Sequence, residues 1–284
     1  MTNTEFLKKN LKVIEVEVFS YCNRVCWFCP NSFVDRRTTN HVMPENTYLH
    51  ILSQLRDIEY SGDVTYSRYN EPTAKKDIIL TRLAQARQYL PHANLKTNSN
   101  GDYITKDYLV QLRDAGLNEL FMQQYDLNPN TFDYENNKQL MEKKLTKLGL
   151  PFEILKDIPG YKIEYKVHFE GMRVQLRARN FVEDGSSRGN TINLANDYIR
   201  TQRCLQPFNN MYIDYTGKVM VCCALRSDID SHHDGLMGDV NERSLADIFT
   251  STVYDSWRNH HLTDGPKEGV CKSCRDNVKP HYEK

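Results

Sequence analysis

The sequence has no long apolar segment, no excess of charge of either sign and no internal repeat. No hydrophobic run in the 284 residues approaches the ~20 residues of a membrane span, and the first residues lack the apolar core of a signal peptide. The 37 basic and 37 acidic residues balance, so no overall field attracts nucleic acid or anionic lipid. We therefore predict a cytoplasmic protein that binds neither nucleic acid nor membrane.

Cysteine is the residue type present in excess. Eight cysteines are more than packing requires, and a reducing cytoplasm argues against four disulfides. They fall into three groups along the chain: Cys22, Cys26 and Cys29; Cys204, Cys222 and Cys223; and Cys271 and Cys274. This grouping indicates metal or redox chemistry.

Short β-branched runs alternate with helix-period segments from residue 13 to about residue 180. The predicted strands span 13–19, 63–67, 93–98, 118–124, 162–169 and 172–180, and the predicted helices span 44–58, 75–90, 105–115 and 131–148. Such alternation predicts a parallel sheet with helical crossovers. About six units are too few for an eight-stranded barrel but enough for a partial, open one.

The pattern then changes, which predicts a second and smaller module. Residues 1–180 form the predicted barrel, the polar segment 181–203 a linker, and residues 204–284 the C-terminal module. This module contains a hairpin that turns at Thr216 and Gly217, and a helix over 244–257 that begins after Ser244. We therefore expect an α/β fold with one large and one small part.

The first cysteine group has the spacing C-x3-C-x2-C and follows the first predicted strand. Three cysteines on one short loop can bind three corners of an iron–sulfur cube and leave the fourth iron open to another ligand. Zinc sites more often close with a second pair of cysteines, so a zinc loop is the weaker alternative. The remaining alternative is that the three cysteines are unrelated residues of the core.

With Phe28 before its last cysteine, this motif resembles that of the radical S-adenosylmethionine (radical SAM) superfamily. The resemblance implies a partial (β/α)6 TIM-type barrel with a [4Fe–4S] cluster on Cys22, Cys26 and Cys29, and SAM bound to the open iron. It also implies an external electron donor of the flavodoxin or ferredoxin type. The cleaved SAM supplies a 5′-deoxyadenosyl radical that abstracts hydrogen from the substrate.

A second landmark of the superfamily, a glycine pair followed by glutamate and proline, is matched only in part by SRYNEP. The resemblance implies that Glu71 holds the amino group of SAM; a solvated carboxylate before a helix is the alternative. Phe28 and four residues at strand ends are further candidates for the SAM site: Asn98, Ser99, Gln123 and Arg177. For each of these four, hydrogen bonding to nearby backbone is an equal alternative.

The later cysteines resemble the Twitch module that follows the barrel in some radical SAM enzymes. There, four cysteines hold one auxiliary [4Fe–4S] cluster, and the matching positions are Cys204, Cys222, Cys271 and Cys274. The fuller SPASM version has further cysteines after the last pair, and none follows Cys274 here. We therefore expect two clusters in the protein; a zinc site with four cysteine ligands is the alternative.

Cys223 is left over once seven ligands are assigned. Successive side chains of a strand point to opposite faces, so if Cys222 faces the cluster, Cys223 faces the barrel mouth. There it is either a hydrogen donor to a substrate radical or a small buried hydrophobe. With this thiol, the chain most resembles a radical SAM peptide epimerase of the epipeptide type, which converts L-residues to D-residues in a ribosomally made peptide.

That resemblance implies a precursor peptide as the substrate, with Arg188 and Asn210 as candidate contacts near the barrel mouth; solvated linker residues are the alternative. About a dozen residues precede the first predicted strand, so we expect no separate leader-recognition domain. The alternative function is a radical SAM dehydrogenase or epimerase of a small aminocyclitol or sugar. In the dehydrogenase, the auxiliary cluster takes an electron and a base takes a proton.

Overall fold

The structure is a computed structural model that describes residues 1–193 and 198–276. Parts of the predicted linker (194–197) and of the predicted C-terminal module (277–284) lie outside the described residues. None of the helices described is both long and apolar enough to cross a membrane.

The elements of the described chain are as follows. The strands are β1 Val13–Val16, β2 Asp63–Thr65, β3 Asn94–Ser99, β4 Glu119–Gln124, β5 Phe152–Ile158, β6 Lys162–Val167, β7 Arg173–Arg179, β8 Asn210–Ile213, β9 Lys218–Met220 and β10 Leu236–Asp239. The helices are α1 Asn3–Asn10, α2 Glu45–Asp57, α3 Lys76–Tyr89, α4 Lys106–Asp114, α5 Tyr134–Leu148, α6 Phe181–Asp184, α7 Gln206–Asn209, α8 Leu245–Phe249 and α9 Thr252–His261.

All of these strands form one sheet in the order β10-β9-β8-β1-β2-β3-β4-β7-β6-β5. The central strands, from β8 to β7, pair in parallel, and helices α2 to α5 connect the strands from β1 to β5. Antiparallel strands extend the sheet at both edges. The predicted α/β fold with a mostly parallel sheet is therefore confirmed.

The strand–helix alternation matches the prediction up to α5 and differs after it. The sequence pattern misses β5, whose side chains are mostly exposed because it is an edge strand. The last parallel strand of the centre is β8, which lies beyond the predicted linker and pairs with β1 from Val13–Asn210 to Val16–Ile213. The segment predicted as a separate module thus continues the barrel sheet.

The single helix predicted over 244–257 is two helices, α8 and α9. Ser244 begins α8 as predicted, and its side chain accepts a hydrogen bond from the backbone N–H of Asp247. Ser251 begins α9 in the same way, by accepting from the N–H of Tyr254. A second capping serine inside the apolar pattern therefore divides the helix. The predicted hairpin is present as β8 and β9, with Gly217 in the left-handed region at φ 97°.

The two faces of β1 have opposite characters. Ile14 and Val16 are fully buried and belong to the apolar core that also contains Ile51 of α2. Glu15 and Glu17 lie on the other face, because side chains alternate along a strand. This polar inner face is where the cavity lies.

Candidate active site

The first cysteine group lies on an irregular loop that follows β1. The backbone N–H of Ser20 donates to the carbonyl of His41 at 2.8 Å and so closes the loop at its base. Within the loop, the N–H of Cys29 donates to the carbonyl of Cys26 at 3.0 Å. A short 3-10 helix, Pro30–Ser32, begins directly after Cys29, so the cysteine spacing is held by local backbone structure.

The three thiols of this loop are surrounded by protein. Burial raises the pKa of Cys22 to about 11 and that of Cys26 to about 12, and it also raises the pKa of Cys29. Hydrogen bonds from the backbone of Arg24 to Cys22 and of Asn31 to Cys29 act in the opposite direction. Grouped buried thiols that accept such bonds fit the ligands of an iron–sulfur cluster, whose iron displaces the thiol protons.

A buried ionic network fixes the cluster loop to the region after β9. The Arg226 guanidinium donates to Oδ1 of Asn31 at 2.8 Å and to both carboxylate oxygens of Asp228 at 2.7 Å. Arg36 contacts the same Asp228 at 3.1 Å and Glu17 at 3.4 Å. Although burial raises the pKa of Asp228, the two guanidinium groups lower it to about 2. Both arginines are almost completely buried.

Glu71 follows β2 and is held by hydrogen bonds on both of its carboxylate oxygens. Oε1 accepts from the N–H of Thr73 at 3.0 Å and from the hydroxyls of Thr73 and Ser99 at 2.7 Å. Oε2 accepts from the N–H of Asn100 at 2.7 Å. Burial raises the pKa of Glu71 despite these bonds. The side chain is only 3% exposed, so the alternative of a solvated carboxylate does not apply.

Polar side chains at the ends of β3, β4 and β7 contact one another. The guanidinium of Arg177 donates to Oδ1 of Asn98 at 2.8 Å, and the amide of Asn98 donates to the hydroxyl of Ser67 at 2.9 Å. With its oxygen turned toward Arg177, Gln123 accepts from the same guanidinium at 2.6 Å. These residues therefore form one hydrogen-bonded group at the carboxyl ends of neighbouring strands.

Phe28 packs face to face on Phe181 of α6, with ring centroids 4.0 Å apart and an interplanar angle of 3°. Tyr125 packs beside both rings, at 5.0 Å and 5.8 Å between centroids. This aromatic cluster anchors the end of the cluster loop to the segment after β7. It forms one wall of the cavity.

A cavity of about 370 Å³ opens inside the strand ends. It is lined by all six residues predicted for the SAM site, Phe28, Glu71, Asn98, Ser99, Gln123 and Arg177, and by two other predicted residues, Arg188 and Cys223. The lining residues that were not predicted include Glu15, Ser67, Arg68, Lys162 and Glu164. The two glutamates inside the otherwise apolar run VIEVEVF are the sequence signal that indicates Glu15.

Glu15 and two arginines form the charged end of this cavity. Burial raises the pKa of Glu15 to about 8, although Arg68 lies 3.7 Å away and Arg188 is also close enough to lower it. Burial lowers the pKa of Arg188, but its Coulombic interactions with neighbouring groups, first among them Tyr69 and Asp276, raise it overall. Arg188 and Cys223 both line the cavity.

The auxiliary cysteines come together from three separate segments. The N–H of Cys204 donates to the carbonyl of His261 at 3.3 Å, and the His261 ring contacts the sulfur of Cys271 at the same distance. The N–H of Cys274 donates to the carbonyl of Cys271 at 3.2 Å. A hydrogen bond with Cys223 and burial raise the pKa of Cys222, and Cys274 is near enough to raise it further. All eight cysteines are free thiols, as a cluster-binding role requires.

Cys223 faces the cavity as predicted, but the strand geometry assumed for this prediction is wrong. β9 ends at Met220, so both cysteines lie in the turn that follows it, where side chains do not alternate. Their sulfurs and a carboxylate oxygen of Asp276 all lie within 4.8 Å of one another. Cys223 lines the cavity, and Cys222 is not among the described residues that do so.

Asn210, predicted as a substrate contact, is also not among the described residues that line the cavity. It is the first residue of β8 and pairs with Val13 at the start of β1, whereas the cavity lies at the carboxyl ends of the strands. Its amide donates to the hydroxyl of Tyr212 at 2.9 Å. The parallel pairing of β8 therefore places Asn210 at the wrong end of the sheet.

Comparison with known proteins finds an iron–sulfur domain at the C-terminal cysteines and a SAM-dependent relative. A family model of SPASM, an iron–sulfur cluster-binding domain, matches residues 204–275. The chain is 25% identical, over 95% of both chains, to the S-adenosyl-L-methionine-dependent 2-deoxy-scyllo-inosamine dehydrogenase of Niallia circulans. The crystal structure of BtrN in complex with AdoMet and 2-DOIA is similar with a TM-score of 0.65, 23% identity and 94% coverage of both chains.

A more distant solved structure, native anSMEcpe with bound AdoMet, has a TM-score of 0.52 and 11% identity and covers 88% of this chain and 84% of its own. The fold is similar to that of both solved structures. Along almost its whole length the chain is also similar to a SAM-dependent dehydrogenase, and residues 204–275 match an iron–sulfur cluster-binding domain.

The prediction of a peptide epimerase with a precursor peptide as its partner is wrong. The relative that matches along 95% of the chain is a dehydrogenase of a small aminocyclitol. The inference rested on Cys223 as a hydrogen donor, and one unassigned thiol does not determine the fate of a substrate radical. The alternative of a small-molecule dehydrogenase agrees better with this relative.

Proposed function

We propose that this protein is a radical SAM dehydrogenase that oxidises a secondary alcohol of a small aminocyclitol or amino sugar to a ketone. The observation that carries the proposal is the position of the cavity. The cavity is lined by Phe28 of the cluster loop and by Cys223 of the turn that also contains Cys222, and its charged end contains Glu15, Arg68 and Arg188. The relative named as a 2-deoxy-scyllo-inosamine dehydrogenase supports the same reaction.

The lining of the cavity suits a small and strongly polar substrate. Carboxylates from Glu15 and Glu164 and cations from Lys162 and Arg68 face the cavity. Such groups pair with the amino and hydroxyl groups of an aminocyclitol and offer little apolar surface to a peptide side chain.

The reaction removes two hydrogens from one carbinol group, the first as a hydrogen atom and the second as a proton and an electron. When bound, the first cluster and SAM supply the radical that takes the carbon-bound hydrogen, and the auxiliary cluster takes the remaining electron. The hydroxyl proton must then leave to a base as the C=O bond forms. We therefore propose two [4Fe–4S] clusters, on Cys22, Cys26 and Cys29 and on Cys204, Cys222, Cys271 and Cys274.

We assign the proton transfer to Glu15. Its carboxyl lies in the cavity, and its pKa of about 8 is close to the pH at which a general base works best. Arg188 and Arg68 lie beside it and orient the substrate oxygen. Glu71, with its four hydrogen bonds, holds the amino group of SAM, while Asn98 and Arg177 contact its ribose and carboxylate.

The proposed reaction also requires an electron donor and a reducing compartment. A one-electron donor of the flavodoxin or ferredoxin type must reduce the first cluster before each SAM cleavage. Eight free thiols stay reduced in the cytoplasm, which is the compartment we propose. The hydrogen-donor role of Cys223 has no place in this reaction.

The test uses the anaerobically reconstituted protein with SAM, dithionite and 2-deoxy-scyllo-inosamine. We expect one ketone, lighter than the substrate by two hydrogens, for each 5′-deoxyadenosine formed. With deuterium on the carbinol carbon, the label should appear in 5′-deoxyadenosine. Mass spectrometry of both products measures these quantities.

Two variants make the test specific. Glu15→Gln should cleave SAM but form much less ketone, whereas Cys223→Ala should form ketone as the wild type does. An epimer of unchanged mass that carries solvent deuterium would overturn the dehydrogenase proposal. So would a Cys223→Ala variant that abstracts hydrogen but forms no ketone.

A further inference from the structure

The outer side of the cluster loop carries a surface with an apolar centre and a basic rim. Its apolar residues, Val25, Leu127 and Leu140, are 44%, 59% and 42% exposed. Its basic residues are Arg24, Lys106, Lys143, Lys144 and Lys147. These residues line two adjoining concavities that share Arg24, Gln124 and Leu140. We call this set of residues the loop-side surface.

The charge of the loop-side surface differs from that of the whole chain, whose net charge is zero. Three acidic residues, Asp102, Asp107 and Asp126, line the same concavities, against the five basic ones. Asp102 pairs with Arg24 at 2.8 Å, and Asp126 accepts from the amide of Asn137 at 2.8 Å. Lys143 and Lys147 are exposed. Within the described chain, no carboxylate lies at ion-pair distance from either lysine. The surface therefore presents uncompensated positive charge.

The loop-side surface is part of the cluster loop itself. Arg24 lies between Cys22 and Cys26 in the sequence, and Trp27 of the same loop donates to the carbonyl of Asp126 at 3.3 Å. Along β4, Gln123 lines the cavity and Gln124 lines the loop-side surface. A protein bound here thus approaches the three loop cysteines from the side that the substrate does not use.

We propose that the loop-side surface is the docking site of an acidic one-electron donor protein, such as a flavodoxin. The proposal rests on the proposed function, because it requires a cluster on the loop that must be reduced. The reduced donor loses one electron, and the oxidised cluster gains it. The apolar centre excludes water from the contact, and the lysines attract the acidic partner and fix its orientation.

Charge decides between this partner and a second copy of the chain. A symmetric dimer would place the same five basic residues on both sides of the contact, and like charges in an interface are costly. An acidic partner gains from them instead. Because the charges lie on the rim, they act on the association rate and are screened by salt.

The experiment compares two double variants with the same change of charge. Lys143→Glu/Lys147→Glu alters the loop-side surface, and Lys9→Glu/Lys12→Glu alters exposed lysines in and just after α1. Calorimetry measures the binding of oxidised flavodoxin to each reconstituted protein at low and high salt. We expect the first variant to bind about tenfold more weakly or worse, and the control to bind as the wild type does. High salt should remove most of the difference.

Measurements of SAM cleavage then distinguish a failure of the docking site from a failure of the proposed function. With dithionite, all three proteins should cleave SAM equally; with reduced flavodoxin, only the loop-side variant should be slow. Equal flavodoxin binding by both variants, or no binding by the wild type, overturns the docking site. The docking site is also overturned if the wild type forms a salt-sensitive dimer that is lost only in the loop-side variant. Failure of the wild type with dithionite counts against the proposed function, while the binding data still decide the docking site.

Discussion

The two cysteine groups of this protein are built in opposite ways. Cys22, Cys26 and Cys29 lie on one loop whose backbone bonds connect near neighbours, as between Cys29 and Cys26. The auxiliary group unites Cys204, a turn after β9 and the 271–274 segment, which meet only in the folded chain. The first group is thus a local structure, and the second depends on long-range packing.

This difference predicts different responses to mutation. A local loop can keep its shape when a ligand is lost, whereas segments that meet around a metal lose part of their folding free energy with it. The network of Arg226, Arg36 and Asp228 joins the two regions. The strength of this network determines how far the loss of one cysteine group destabilises the other.

The largest effect is expected when the local group is removed. In the triple variant Cys22→Ala/Cys26→Ala/Cys29→Ala, SAM cleavage should be abolished, while about four irons remain on the auxiliary site. Iron analysis and chromatography of 5′-deoxyadenosine measure the two quantities. Residual SAM cleavage at the wild-type rate would show that this loop does not hold the first cluster.

The next prediction concerns the auxiliary group and compares the neighbouring residues Cys222 and Cys223. Cys222→Ala should lose the auxiliary cluster and melt at a lower temperature, whereas Cys223→Ala should keep about eight irons. Iron content and thermal unfolding followed by circular dichroism check both variants. The reverse pattern would exchange the roles of the two residues, which lie within 4.8 Å of the same Asp276 oxygen.

The connection between the two regions should have a smaller effect. Arg226→Met leaves Asp228 and Asn31 without their main partner, so we expect the apoprotein to lose about 3–5 kcal/mol of its unfolding free energy. Arg37→Met, which changes an exposed arginine of the same loop, should cost less than about 1 kcal/mol. Urea unfolding measures both. Equal costs would show that the network does not stabilise the fold.

The last prediction concerns the pH dependence of stability and Glu15 on the inner face of β1. Burial raises its pKa from 4.5 to about 8, so the folded protein keeps a proton that the unfolded chain releases. Its contribution to stability is complete below the unfolded pKa and is lost as pH rises through the folded value. In Glu15→Gln, urea stability should therefore fall less than in the wild type between these pH values. Parallel profiles of the two proteins would contradict the raised pKa.

Local patterns explain which features the sequence could predict. The helix from Glu45 to Asp57, which follows Pro44, and the strand from Glu119 to Gln124 agree with the predictions because apolar spacing and a proline at a helix start act within a few residues. The edge strand Phe152–Ile158 was not predicted, because most of its side chains are exposed and it shows no apolar pattern. The pairing of β8 with β1 was not predicted, because the sequence of a strand does not show which parallel strand lies beside it.

The sequence by itself determined the spacing of the cluster loop, the α/β alternation and the group of polar residues at the strand ends, because each depends on nearby residues. Only the tertiary structure decided that Glu15 and Arg188 share a cavity, that Asn210 lies outside it and that Cys222 and Cys223 occupy one turn. These relations depend on strand register and on where β9 ends. Long-range packing determines both, and the order of residues along one segment does not encode them.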